Sequence, residues 1–361
     1  MTTTRDLLTV PDIYGRLQAR LDEMATGYPA TPGGAEMRIL KQLFSEDDAR
    51  LFIQMAPNPE TADEVALRVH SEYTSIAPQL EGMAAKGLLF RIKEGGEARY
   101  FPIPFIVGIY EFQLKNLNPQ LLKDISEYYL AGLGATFHGR KTPHLRSIPI
   151  NTTISPDGPI APYDDAAAIV RGKTRIAVAE CFCRKAVRMY GKGCSHPLET
   201  CIQFDSFADY YVDNGMARYI TQDEALSILR CNEKEGLVIH ILNSQNVEAM
   251  CACCSCCCGM LISLKLFPAP AREVKSNYVC SLDESLCTNC NVCTGRCPVG
   301  ALKSKDDRIQ FRSERCIGCG LCVATCPTEA LRLRRKPEEK LYTPPETVFE
   351  TFALMSREKN R

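Results

Sequence analysis

The chain has 361 residues, room for two or three domains, and its 45% apolar and 24% charged content excludes a disordered or fibrous protein. Its 43 basic and 43 acidic residues cancel, so no global field recommends nucleic acid or an anionic membrane as a partner. The longest apolar stretches, 101–110 and 260–267, are broken by Pro102, Pro104 and Lys265 and fall short of a membrane span, while the polar start Met-Thr-Thr-Thr-Arg-Asp lacks an apolar leader, which predicts a cytoplasmic protein.

The first 180 residues contain no cysteine. Residues 1–35 place a short helix near 13–24 before Gly27, Pro29, Pro32, Gly33 and Gly34, and read as a flexible lead-in. Apolar residues then recur at helical spacing from Met37 to Met55, until Pro57 and Pro59 end the run. Thr61 with Glu64 forms a capping box for a short helix through Val65, Ala66 and Val69. A further helix is predicted over 76–86, stopped by Gly87, and strands over 88–93 and 98–101 are joined by Gly95-Gly96. This order of helices followed by a two-stranded wing resembles a winged helix-turn-helix, which implies a winged-helix-like domain over 36–110. Its charges argue against DNA. The would-be reading helix offers Gln79 and Lys86 against Glu72 and Glu81, and Glu94 and Glu97 dilute Arg91, Lys93 and Arg99 on the wing. Docking to a protein is the expected role.

Residues 111–275 are expected to form an α/β cysteine-rich iron–sulfur domain. Five prolines between 143 and 163 predict an extended connection. A buried strand over 175–180 runs into Cys181-Phe-Cys183-Arg184-Lys185, and Cys194 and Cys201 follow on either side of His196-Pro197. A helix over 207–214, a capping box at Thr221 and Glu224, a helix ended by Gly236 and a strand over 237–242 lead to Cys251-Ala-Cys253-Cys254-Ser-Cys256-Cys257-Cys258. Free cysteine buries well as a small hydrophobe, but six within eight residues point in several directions at once, so some face one another and favour metal. The candidate ligands are Cys181, Cys183, Cys194 and Cys201 with Cys251, Cys253, Cys254, Cys256, Cys257 and Cys258. Two cubanes, one cubane with the other thiols protecting it, a larger fused cluster, or zinc all remain open; one or two further iron–sulfur clusters are expected. Cys231 reads as a half-buried structural residue and His196 as a hydrogen-bonding loop residue. Arg184, Lys185 and Arg188 either offset thiolate charge or form a solvated helix face.

The last eight cysteines are a duplication. Cys287, Cys290, Cys293 and Cys297 recur 29 residues later as Cys316, Cys319, Cys322 and Cys326, each copy reading C-x2-C-x2-C-x3-C-P. Residues 276–335 thereby resemble bacterial two-cluster ferredoxins, which implies two [4Fe–4S] clusters. In that spacing the fourth cysteine serves the neighbouring cluster. Cys287, Cys290 and Cys293 pair with Cys326, and Cys316, Cys319 and Cys322 with Cys297. Gly295, Gly300, Gly318 and Gly320 suit loops packed closely on sulfur, and Cys280, outside the repeat, is not expected to be a ligand. Residues 336–361 form a basic tail and an amphipathic helix with Val348, Phe349, Phe352 and Leu354, expected to dock back on the body.

Over 36–335 the order of motifs resembles multi-cluster ferredoxin-like proteins of anaerobic bacteria. The expected fold is α+β in three parts, and the resemblance implies low-potential electron transfer with a redox partner protein or enzyme complex. Two alternatives stay open: a reductase with an open-site middle cluster, although no acid–base pair flanks it, and a redox-sensing winged-helix regulator.

Overall fold

The computed structural model describes residues 12–150 and 160–359. The polar start of the chain and most of the proline-rich connection lie outside the described residues. Two units divide the rest. The first runs to Gln113 and resumes over Gln120–Leu133; the second comprises Leu114–Pro119 and the chain from Gly134 onward.

The first unit opens with α1 (Ile13–Asp22), capped by the Asp12 side chain accepting from Gly15 N. Leu17, Leu21 and Tyr28 are fully buried, and the Tyr28 hydroxyl donates to Glu36 O at 2.9 Å. The expected flexible lead-in is therefore corrected: from residue 12 it supplies core. The single periodic run expected over 36–55 is two helices, α2 (Ala35–Leu43) and α3 (Glu46–Gln54), because Phe44 is extended and Ser45 closes a capping box with Asp48. Thr61 and Glu64 cap α4 (Ala62–Arg68) reciprocally, as expected. Next come α5 (Tyr73–Ala85) and the hairpin of β1 (Leu89–Glu94) and β2 (Glu97–Pro102), turned at Gly95 and Gly96, both at positive φ as such a tight turn requires. One element was not anticipated. Helix α6 (Pro119–Ala131) buries Leu121, Leu122, Ile125 and Tyr128, and its buried Asp124 receives Arg38 Nε at 2.7 Å. The unit thus outgrows the expected 36–110 boundaries.

The second unit is built on a six-stranded sheet in the order β3-β7-β8-β5-β4-β6, with β3 (Leu145–Ile148), β4 (Ile176–Glu180), β5 (Glu199–Phe204), β6 (Ala217–Tyr219), β7 (Val238–Leu242) and β8 (Ala249–Cys253). Every pairing is antiparallel. An α/β domain was expected because strands alternate with helices, yet the helices return the chain to antiparallel neighbours instead of crossing over between parallel ones. Ile176, Val178, Ile202, Ile239, Ile241 and Met250 share one core with α7 (Ala166–Arg171), α10 (Gln222–Glu235) and α11 (Gly259–Leu266). Helices α8 (Phe182–Met189) and α9 (Asp205–Asp213) follow β4 and β5.

After α12 (Pro270–Glu273) the duplicated region folds with two-fold regularity. Its outer strands β9 (Tyr278–Leu282) and β12 (Leu331–Arg335) pair, as do β10 (Leu302–Lys305) and β11 (Arg308–Phe311); α13 (Val292–Arg296) lies in the first loop. It is stitched to the sheet module. Arg296 donates to Glu233 O and Lys234 O at the end of α10, and Arg315 to Phe267 O and Lys265 O below α11. The buried pair Arg146–Asp164, at 2.7 Å, also holds Asn277 ahead of β9. Helix α14 (Val348–Lys359) docks back as expected, burying Val348, Phe352 and Met355, with Val348 N donating to the buried Glu248 at 2.9 Å.

Two outcomes are expected. A Cβ at Gly318, where φ is +68°, would lie 2.4 Å from the Tyr278 carbonyl oxygen, whereas at Gly295 it meets open space, so close packing does not explain that glycine. Gly318→Ala should cost several kcal/mol in denaturant unfolding, while Gly295→Ala, inside α13, gains up to about 1 kcal/mol. Burial pushes Glu248 up to about 7, against the pull of Ser244 and Val348 N–H. A raised folded-state pKa confers stability at low pH that is lost as pH rises through it. Unfolding free energy should therefore fall by about 2 kcal/mol on this account between about pH 5.5 and about pH 8, and Glu248→Gln should remove that slope.

Candidate metal centres

The duplication lines two cavities. Cys287, Cys290, Cys293 and Cys326 line one, together with Leu282, Ile309 and Leu331. Cys297, Cys316, Cys319 and Cys322 line the other, with Val299, Leu302 and Ile317. Each cavity thus joins three thiols of one copy to the fourth of the other. The loops achieve this with left-handed residues at matched places: Asn289 and Asn291 in the first copy, Gly318 and Gly320 in the second. Asparagine tolerates that conformation, and Asn289 uses its side chain to accept Ile309 N at 3.0 Å; Gly318 has no such freedom, because Tyr278 backbone presses on it.

Backbone N–H groups point at sulfur. Ala301 N donates to Cys297 Sγ at 3.1 Å and Cys280 N to Cys316 Sγ at 3.4 Å. Burial pushes the Cys293 and Cys316 thiols up to about 11, and it pushes Cys319 up further. Against burial, the N–H groups of Leu331 and Thr328 hold Cys326 below its ordinary value. Buried thiols that resist ionisation alone, gathered around apolar cavities, form a donor set that a cationic iron core completes by taking the thiolates. The residues fit a [4Fe–4S] cluster in each cavity.

In the sheet module, strand register assembles a second sulfur group. Directly paired residues share a face, and Cys201 is paired with Cys251, which is paired with His240; Val238 is paired with Cys253. Ile202, Met250 and Ala252 turn to the opposite face and the apolar core. Cys181 and Cys258 are the N-cap residues of α8 and α11, at the positive ends of two helices. Cys201 and Cys251 sulfurs are 3.7 Å apart. Cys251 and Cys258 accept hydrogen bonds from Cys201, Cys253 and Cys183, which holds them low, and the same bonds push Cys183 and Cys253 up. This group gathers Cys181, Cys183, Cys201, Cys251, Cys253 and Cys258. The other four middle thiols stand apart from it: Cys194, Cys254, Cys256 and Cys257, all within 4.8 Å of one another.

Arg184 is fully buried and donates to Thr200 Oγ1 at 3.0 Å, to Ala252 O at 3.1 Å and to Pro197 O. Its guanidinium faces Cys181, Cys254 and Cys194, so it offsets thiolate charge and is not part of a solvated face. Lys185 pairs with Glu180 at 2.6 Å, and Arg188 holds the Cys194 and His196 carbonyls. His196 Nδ1 lies 2.5 Å from Glu235, the hydrogen-bonding role expected of it. Cys231 is exposed, not half-buried, since it falls on the outer side of α10.

His240 escaped the sequence, and Cys280, read there as outside the ligand set, lies closer to the second cavity than its spacing suggests. His240 is buried with its ring within 4.8 Å of the Cys253 and Cys258 sulfurs, and it helps to hold the Cys258 thiol low. A polar residue inside the otherwise apolar run Val-Ile-His-Ile-Leu was the available signal. Cys280 lines the second ferredoxin cavity, its sulfur 3.8 Å from Cys322 Sγ. Only strand pairing brings it there.

A family model for a 4Fe-4S dicluster domain matches residues 280–327, the segment that carries all eight cysteines of the duplication. No curated protein and no solved structure matches the chain. The match and the gathered cysteines support iron–sulfur binding by this segment. The crossed arrangement yields a test: Cys297→Ser, although in the first copy, should empty the cavity of Cys316, Cys319 and Cys322, lowering anaerobic iron content by about four atoms and leaving one ferredoxin EPR signal. Loss of the signal belonging to Cys287, Cys290 and Cys293 would contradict the crossing.

Proposed function

We propose that this chain is a low-potential electron-transfer protein of the reducing cytoplasm of an anaerobe, holding two [4Fe–4S] clusters in its C-terminal domain and at least one further iron–sulfur centre in the middle module. When bound, such clusters supply one-electron transfer at potentials between roughly −700 and +450 mV. The observation that carries the reading is the crossed lining of the two cavities, each built from thiols of both copies of the repeat.

The residues around each cavity do three things. Leu282, Ile309, Leu302, Ile317 and Leu331 exclude water, which favours a lower charge on whatever the thiolates hold. The Ala301 and Cys280 N–H groups work the other way, stabilising added negative charge on Cys297 and Cys316. Cys290 is exposed, beside half-exposed Leu286 and Val292, and forms the edge a redox partner approaches. In the middle module, Cys181, Cys183, Cys201, Cys251, Cys253, Cys258 and His240 supply the donors of the further centre, and buried Arg184 limits its charge.

The first unit is winged-helix-like in element order and serves protein docking. Cations on its hairpin and the adjoining helix are committed to carboxylates: Arg91 pairs with Glu81, Arg99 with Glu97 at 3.1 Å, and Lys86 with Asp48 at 2.8 Å. Paired cations release few counterions from a duplex.

Purified without air, the chain should contain at least about twelve irons, show two interacting reduced cubanes by EPR, and pass electrons from dithionite to an acceptor such as a viologen or a flavoprotein. A colourless, iron-free chain would sink the proposal, and tight, salt-sensitive duplex binding would move it to the regulator.

A further inference from the structure

The four thiols set apart in the middle module have a geometry of their own. Cys194 Sγ lies 3.7 Å from Cys254 Sγ and 3.8 Å from Cys257 Sγ, and Cys256 and Cys257 are 3.8 Å apart. A tetrahedron with metal–sulfur bonds of about 2.3 Å has sulfur–sulfur edges of about 3.8 Å. Around a cubane each thiolate binds a different iron and stands outward from its corner, so the sulfurs lie roughly 6 Å apart. The same chain offers the contrast. Among the described residues neither ferredoxin quadruplet gathers within 4.8 Å; Cys201 and Cys251 approach to 3.7 Å and His240, Cys253 and Cys258 cluster as a mixed triplet, but here four thiols gather at that spacing.

The local backbone is shaped for so close an approach. Cys254, Cys256 and Cys257 sit on one turn between β8 and α11, closed by Cys258 N donating to Cys254 O at 3.1 Å and held by Lys265 Nζ on Ser255 O at 2.8 Å. Cys194 arrives on the loop after α8, its carbonyl fixed by Arg188 Nη2 at 2.8 Å. The residue before it, Gly193, has φ +99°, and a Cβ there would lie 3.2 Å from Cys257 Sγ. Only glycine lets that loop close on the turn.

We propose that Cys194, Cys254, Cys256 and Cys257 bind one zinc ion as a closed tetrathiolate clamp, and not an iron–sulfur cluster. Zinc suits a four-thiolate site that keeps no open position, and at such a site it outranks ferrous iron in affinity. The clamp ties the α8–β5 loop to the β8–α11 turn, reinforcing the bridge that Arg184 makes between Pro197 O and Ala252 O. The proposal does not rest on the electron-transfer reading, since a redox-inert clamp serves any chemistry in the module.

The test is total metal against acid-labile sulfide on the full chain, purified anaerobically. The expected result is about one zinc per chain beside equal iron and sulfide. Zinc-edge X-ray absorption on the same wild-type sample should read four sulfur neighbours at about 2.3 Å. Cys256→Ala should remove the zinc and leave sulfide and the ferredoxin EPR signals unchanged. No zinc, an extra iron in its place, oxygen or nitrogen in the zinc shell, or loss of about four irons and four sulfides in the variant would each overturn it. An iron-free chain that still holds the zinc would reject electron transfer and keep the clamp.

Discussion

Sulfur that must become anionic in a dry interior is the constraint around which the second unit is organised. A thiolate taken out of water is costly unless positive charge or N–H dipoles meet it. The chain provides all of these in small portions. Arg184 is buried without solvent contact, Cys181 and Cys258 cap helix N-termini, and backbone N–H groups point at Cys297, Cys316 and Cys326. None offsets four thiolates alone. A bound metal would complete the balance, and its uptake would then be coupled to folding of this unit.

The duplicated domain and the sheet module solve the problem of gathering ligands differently. In the duplication, tight loops with left-handed residues bend the chain around a cavity, and two-fold pairing of β9 with β12 and β10 with β11 brings the fourth ligand from the other copy. In the sheet module, the period of two along a strand does the work. It sends Cys201, Cys251 and Cys253 to one face while Ile202, Met250 and Ala252 fill the core behind them.

The two modules are not beads on a string. Arg296, on α13 of the first loop, closes the carbonyl end of α10, and its guanidinium occupies the space where a side chain on Gly236 would stand. Arg315 satisfies carbonyls below α11, and Ile150 N donates to Cys319 O at 3.2 Å. The tail straps over the sheet module through Gln245 N on Pro345 O and Val348 N on Glu248. Loops that carry ligands are therefore anchored to helices and strands outside their own domain, which limits their reorganisation.

Local signals are legible in the amino-acid sequence. The capping box at Thr61, the glycine turn at 95 and 96, the stop at Gly236 and the C-x2-C-x2-C-x3-C-P repeat each act within a few residues, and so does the amphipathic face of α14. Helix α6 and the break at Ser45 carried equally local cues in Leu121, Leu122 and Ile125 and in Ser45 with Asp48. Other features had no local cue. The antiparallel order of the sheet, the partition of ten middle thiols into an inner group and a close quadruplet, and the placing of Cys280 depend on contacts between distant parts of the chain, such as Cys194 with Cys254 and Cys280 with Cys322. Spacing along a chain constrains which ligands can share a loop; which loops share a metal is set by strand register and packing, whose energies are summed over the whole core.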